Sequence, residues 1–131
     1  MFSSGTILRV LGNAVVRLME GVGRSVAAGP QREYLDVLKE RIDAQLSWVA
    51  AQPNGEALWE RVAQNVEDIL RGEWRAGRLR GQHADDAFFA RCDRGTMTQK
   101  DIDNRRVVCM VGVALARPGE YTLFTVEQRA S

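Results

Sequence analysis

The sequence predicts an α+β fold: an antiparallel two-helix pair packed on a small, mostly antiparallel sheet, in the order β-α-α-β-β-β. Three observations predict it. Apolar residues recur at steps of three and four between Arg32 and Trp74, the period of helices with one buried face. Beyond Gly81 the pattern turns into short alternating or continuously apolar runs, which is how strands read. The chain has 131 residues, the size of one domain, so both halves share a core.

Residues 6–11, TILRVL, are β-favouring and bounded by Gly5 and Gly12, which reads as a strand. The region also carries a narrow polar stripe, Arg9, Asn13, Arg17 and Arg24, opposite Leu11, Val15, Leu18 and Val22. A single helix through all of it meets glycines at 12, 21 and 23, each costing about 1 kcal/mol. A strand at 6–11 and a weak helix over 13–22 is the preferred reading. Gly29 and Pro30 then mark a turn. Residues 1–30 thus form an N-terminal segment that opens the domain, and residues 31–131 its body. Arginines interrupt the apolar residues of this segment, so it matches neither a secretory signal nor a membrane span.

From Arg32 to Ala51, Leu35, Leu38, Ile42, Leu46 and Val49 line one helical face. Pro53, Asn54 and Gly55 end that helix, with Asn54 the expected N-cap of the next. The second helix carries Trp59, Val62, Val66, Leu70 and Trp74 on its apolar stripe and stops near Gly77 or Gly81. Residues 87–93 alternate, with Phe88, Ala90 and Cys92 on one face and Phe89 and Arg91 on the other. Thr98 and Asp101 form a capping-box pattern for one helical turn over 98–104. Residues 106–114 are apolar on both faces, a strand covered on both sides. Residues 117–120 turn, and Tyr121 to Glu127 form a last β-prone run.

Composition narrows the function. The apolar share is 45%, the charged share 27% and the formal net charge +1, globular values without the field that steers binding to nucleic acid or anionic membrane. One histidine, His83, and two cysteines, Cys92 and Cys109, give no disulfide scaffold and no metal-ligand spacing. The carboxylate pairs Asp85/Asp86 and Asp101/Asp103 are adjacent or two apart, spacings that diverge on a strand or helix. There is no phosphate-cradling glycine motif. The arginines at 71, 75, 78 and 80 fit a helix C-terminus, where cations complement the dipole. The expectation is no enzyme, no cofactor, no nucleic acid and no membrane.

The remaining signal is the C-terminal strand, able to pair with its own sheet or with an exposed edge of a neighbour. Here the residues resemble a known family. Leu58 and Trp59 after QPNGE, Glu73-Trp74 before Gly77, AFFARCD over 87–93, TMTQKDIDN over 96–104, then Gly112–Ala114, Arg117-Pro118 and Glu120-Tyr121 are similar to the C-terminal domain of contractile-tail sheath proteins. These occur in phages, R-type pyocins and phage-like injection systems. The resemblance is strong over 52–126 and weaker before 31. It departs where Arg105 and Arg106 occupy the region in which the family usually has a glycine ahead of the apolar strand, and where Ala116 and Gly119 soften its Pro-rich spacing.

The resemblance implies a structural subunit of a contractile tail or injection-system sheath, joined to neighbours by strand exchange around an inner tube. Tyr121, Leu123, Phe124 and Val126 would lie on the donated strand. Phe88, Phe89, Cys92, Val108 and Met110 would lie on the acceptor strands, and Arg71, Arg75 and Arg78 would face the tube. The implied partners are further copies, or full-length sheath subunits in a ring or helix, and the inner tail tube protein. Assembly in the cytoplasm is implied, with the product in the virion tail if the source is a phage. Sheath subunits are longer, with outer domains and an N-terminal arm, so this chain corresponds to their inner domain. That is compatible with a minimal sheath, a terminal ring or a piece of a larger gene. The alternative reading is a cap, terminator or regulatory module that blocks a sheath edge by donating its strand.

Overall fold

The computed structural model describes residues 6–11, 14–17 and 30–131. Strands β1 (Thr6–Leu11) and β2 (Ala14–Arg17) precede helix α1 (Pro30–Gln45), a 3₁₀ turn (Ser47–Ala51) and helix α2 (Glu56–Arg75). A short helix α3 (Ala84–Ala87) leads directly into β3 (Phe88–Arg91). Helix α4 (Gln99–Asp103), β4 (Arg106–Val113) and β5 (Glu120–Arg129) complete the chain. The strands form one antiparallel sheet in the order β2-β1-β5-β4-β3. The α+β class and the helix pair on the sheet agree with the sequence reading.

The sheet holds one strand more than expected. Ala14–Arg17 pairs with β1, Val15 opposite Val10 and Val16 opposite Arg9, where the sequence suggested part of a weak helix. The run Val15-Val16 is β-branched, which disfavours a helix and suits a pleated ladder. The rest of the expected helix, and Gly29 of the expected turn, lie outside the described residues.

Helix α1 begins at Pro30, which fits a first helical position because its missing N–H has no partner there anyway. It buries Leu35, Leu38 and Ile42. The chain then tightens into the 3₁₀ turn after Leu46, which keeps Leu46 and Val49 in the core. Helix α2 buries Leu58, Trp59, Val62, Val66 and Leu70. Its N-cap is Gly55 with no side-chain cap, so the expected role of Asn54 is corrected. The Asn54 carboxamide accepts from Trp59 Nε1 at 2.8 Å and donates to the Ile102 carbonyl at 3.3 Å. Its polar atoms are used for tertiary contacts. The helix ends in a Schellman motif: Gly77 at φ 83°, its N–H bonded to the Trp74 carbonyl and the Arg78 N–H to that of Glu73.

Thr98 caps α4 as the sequence indicated, with the reciprocal bonds Asp101 N to Thr98 Oγ1 at 3.0 Å and Thr98 N to Asp101 Oδ2 at 2.9 Å. Those bonds hold the Asp101 carboxyl below its ordinary range. After Asn104, Arg105 takes φ 61°, and its N–H bonds the Ile102 carbonyl at 3.0 Å. This is a left-handed helix exit, favourable for glycine and costing an L-residue roughly 1–2 kcal/mol. Arg105→Gly is therefore expected to stabilise the chain by about 1 kcal/mol, measured as a higher urea midpoint at unchanged slope. An unchanged or lower midpoint would mean that the arginine side chain supplies a compensating contact.

The main core lies between the helices and one sheet face, built from α1, α2, Phe88, Cys92, Val107, Cys109, Val111, Val113, Phe124 and Val126. A smaller cluster of Ala114, Tyr121 and Leu123, flanked by Phe89 and Met110, lies on the opposite face. Alternation along each strand assigns these residues to their faces.

Candidate assembly edge

Strands β4 and β5 form the longest ladder, from Arg106 opposite Arg129 to Val113 opposite Thr122. The residues expected on a donated strand and part of those expected on the acceptor therefore meet within one chain. Leu123 lies opposite Gly112, Phe124 opposite Val111, Val126 opposite Cys109, and Met110 opposite Thr125. On its other side β5 pairs with β1, Leu8 opposite Tyr121 and Thr6 opposite Leu123. Tyr121–Val126 is thus the centre of the sheet, not a projecting tail. The C-terminus is also tied down, by Ala130 N to the Arg105 carbonyl and Ser131 N to the Gln52 carbonyl, both at 2.9 Å.

The acceptor residues divide between two positions. Val108 and Met110 are on β4, an inner strand. Phe88 and Phe89 are on β3, the sheet edge, and Cys92 follows it. Among the described residues no strand pairs with the outer side of β3. At four residues it is short, as exposed edges tend to be. Its register rests on an aromatic seated over glycine. Phe89 lies across Gly112, where an added Cβ would sit 2.2 Å from Cε2, and meets Tyr121 edge-on at 5.0 Å. Gly112→Ala is expected to displace that ring and destabilise the protein by about 1–3 kcal/mol. Denaturant unfolding checks this, and a change under 0.5 kcal/mol would mean Phe89 moves aside at little cost.

The three arginines differ. Arg78 reaches Glu73 at 3.5 Å. Arg71 pairs with Asp68 at 3.4 Å and lies over the Phe88 ring at 5.7 Å. Arg75 is exposed in the last turn of α2 and makes no ion pair among the described residues.

Glu73 was quoted in the sequence only as part of a motif, yet it is the most connected polar side chain of the helix pair. It is 4% exposed. Its Oε1 accepts from the Tyr34 hydroxyl at 2.8 Å, and its Oε2 from Arg41 Nη1 and Nη2 at 2.9 and 2.7 Å. This clamp joins the start and middle of α1 to the end of α2. Its signal was a carboxylate three residues past Leu70 on the apolar stripe. Burial, and then the bond to Glu73, push the Tyr34 hydroxyl well above its ordinary value. A group raised on folding stabilises below its unfolded pKa and loses that contribution as pH rises through the folded one. Stability should therefore fall as pH climbs beyond about 10, the free tyrosine value, and Tyr34→Phe should flatten that fall. Thermal midpoints across the alkaline range test this; identical slopes for both proteins would contradict it.

Of the polar residues considered for chemistry, Asp101 is bound in its cap and Asp103 accepts from Gln99. His83 is exposed ahead of α3. Among the described residues no three His, Cys, Asp or Glu side chains gather as metal ligands, and no helix is long and apolar enough to cross a membrane.

A helix pair clamped by Glu73 thus covers one face of an antiparallel sheet whose edge strand β3 is short. The chain belongs to the phage tail sheath C-terminal domain family, whose model matches residues 30–129. No curated protein matches it. It is similar to a chain in the cryo-EM structure of the anti-feeding prophage baseplate, with 32% identity over 76% of this chain and 28% of that one, TM-score 0.63. A chain of the contracted PVC sheath complex, an extracellular contractile injection system, shares 26% identity over 84% of this chain and 32% of that one, TM-score 0.62. The contracted helical sheath of the anti-feeding prophage gives 27% identity over 90% and 34%, TM-score 0.59. The chain spans about a third of the length of these relatives.

Proposed function

We propose that this chain is a structural, non-catalytic part of a contractile sheath in a phage or phage-like particle, joined to neighbours by exchange of β5 and set around an inner tube. The family match across residues 30–129 carries the reading. The ladder between β4 and β5 supports the exchange, because a swap replaces home contacts by identical ones from a neighbour. A neighbour's β5 would take the home register, with Phe124 against Val111 and Met110 against Thr125. The hinge is the short connection through Arg117, Pro118 and Gly119. Edge strand β3 would accept a further strand beside Phe88 and Phe89. Arg75, with Arg71 and Arg78 beside it, would face the tube protein. Assembly would occur in the cytoplasm, with the product carried in the tail of the particle.

The likeness to a baseplate chain supports a second reading, a terminal ring or cap at one end of the sheath. Light scattering of the purified chain over rising concentration separates the two. A mass that grows without limit is expected for a propagating sheath part, and a plateau at one ring or dimer for a cap. A monomer at every concentration, also after addition of sheath subunits, would overturn both.

A further inference from the structure

The antiparallel register of β3 and β4 sets Phe88 opposite Val113 and Arg91 opposite Met110. Extended one residue beyond the end of β3, that register brings Cys92 across from Cys109. Both are unbridged, buried and turned toward α2, in the main core. Directly opposed residues of an antiparallel pair have Cα atoms about 4.5 or 5.5 Å apart, and both values fall within the span a disulfide bridges.

Cys92 also has a path to solvent. With Trp59, Arg91, Arg94 and Gly95 it lines an open groove of about 410 Å³ between the start of α2 and the loop after β3. Cys109 lies behind it, 1% exposed. Cys92 is 7% exposed, so the pair has an outer member that a small reagent can reach and an inner one that it cannot.

We propose that Cys92 and Cys109 form a thiol–disulfide exchange site, which reacts with a low-molecular-weight disulfide and closes into a cross-strand bond tying edge strand β3 to β4. The Cys92 thiolate attacks one sulfur of the small disulfide and expels the other as a thiolate. Cys109, after giving its proton to water, attacks the Cys92 sulfur of the mixed disulfide and releases the second small thiol. Two protein thiols are oxidised, and the small disulfide is reduced to two thiols. The hydrogen bond to Cys92, and then burial, raise the Cys109 thiol well above its ordinary value. The closing step is therefore slow. Once closed, the bond loops out the segment carrying α4 and constrains the unfolded chain. It does not depend on how the chain assembles.

The test is incubation of the native, full chain with glutathione disulfide at mildly alkaline pH, followed by intact mass and by thiol titration after denaturation. The expected product has lost about 2 Da, carries no adduct and has no titratable thiol. Its thermal midpoint is expected to rise by roughly 5–15 °C and to return on reduction. A persistent adduct of about 305 Da on Cys92 would overturn the pairing. So would a covalent dimer, or two thiols still titratable after reaction. Cys109→Ala should convert the product into that adduct; an unreacted variant with native circular dichroism would show that Cys92 is not the point of entry.

Discussion

A chain ending at Gly119 is expected to be unfolded. The truncation removes β5, the strand between β1 and β4, and with it Tyr121, Leu123, Phe124 and Val126, all at most 3% exposed. Each buried side chain of this kind contributes about 1.5–3 kcal/mol, so together they match the whole stability of an ordinary domain, about 5–15 kcal/mol. The truncation also exposes the edge of β4 that pairs with β5 and leaves the N–H and C=O groups on that edge without partners. Far-UV circular dichroism of the truncated chain should lack a cooperative melting transition. A folded, cooperatively melting truncation would mean that β5 is an accessory arm and not a central strand.

Glu73→Ala is expected to destabilise the protein by about 2–3 kcal/mol. Breaking a buried ion pair commonly costs about 3–5 kcal/mol, because the remaining charge loses its partner. Here the cost is smaller, since the Arg41 and Arg78 side chains are 43% and 54% exposed and can turn to water. What stays behind is the half-buried Tyr34 hydroxyl and a gap between α1 and the end of α2. Glu73→Gln, which keeps an acceptor for Tyr34, should cost less, about 1 kcal/mol. Urea unfolding followed by tryptophan fluorescence measures both. If Glu73→Ala lies within 0.5 kcal/mol of the parent, the clamp does not hold the helices and apolar packing alone does so.

Much of this fold was legible because local signals and tertiary context agreed. The stripes Leu35-Leu38-Ile42 and Trp59-Val62-Val66-Leu70 named the core of both helices. Of the two glycines that could end α2, Gly77 and Gly81, the first does so, and Thr98 with Asp101 marked α4. The failures have physical causes. Asn54 precedes a helix like a cap, but Trp59 and Ile102 claim its side chain, and these are contacts that no local pattern records. Ala14–Arg17 is too short for periodicity to separate strand from helix, and pairing with β1 decides it. Tyr121–Val126 carries the same alternation whether it pairs at home or abroad, so sequence alone could not place it between β1 and β4. Glu73 was readable in principle, since an acid on an apolar stripe demands partners, but the partners come from a helix more than thirty residues away. The sequence marked Arg105 and Arg106 together as standing in a region where glycine is expected, and only the fold, with Arg105 at φ 61°, shows which of the two takes the left-handed turn.

On assembly, the β4–β5 ladder closed within this chain is proposed to become a ladder between chains. Met110 and Thr125 are directly opposed and half-buried on the face away from the helices, so cysteines there would report which chain supplies each strand. The measurement is Met110→Cys with Thr125→Cys, in a background of Cys92→Ala and Cys109→Ala, assembled under reduction, then oxidised and separated on a non-reducing denaturing gel. Exchange predicts a ladder of covalent multimers from the assembled material and a monomer band from dilute, unassembled chain. A monomer band alone from assembled material would show that β5 stays at home and that neighbours are held by other surfaces.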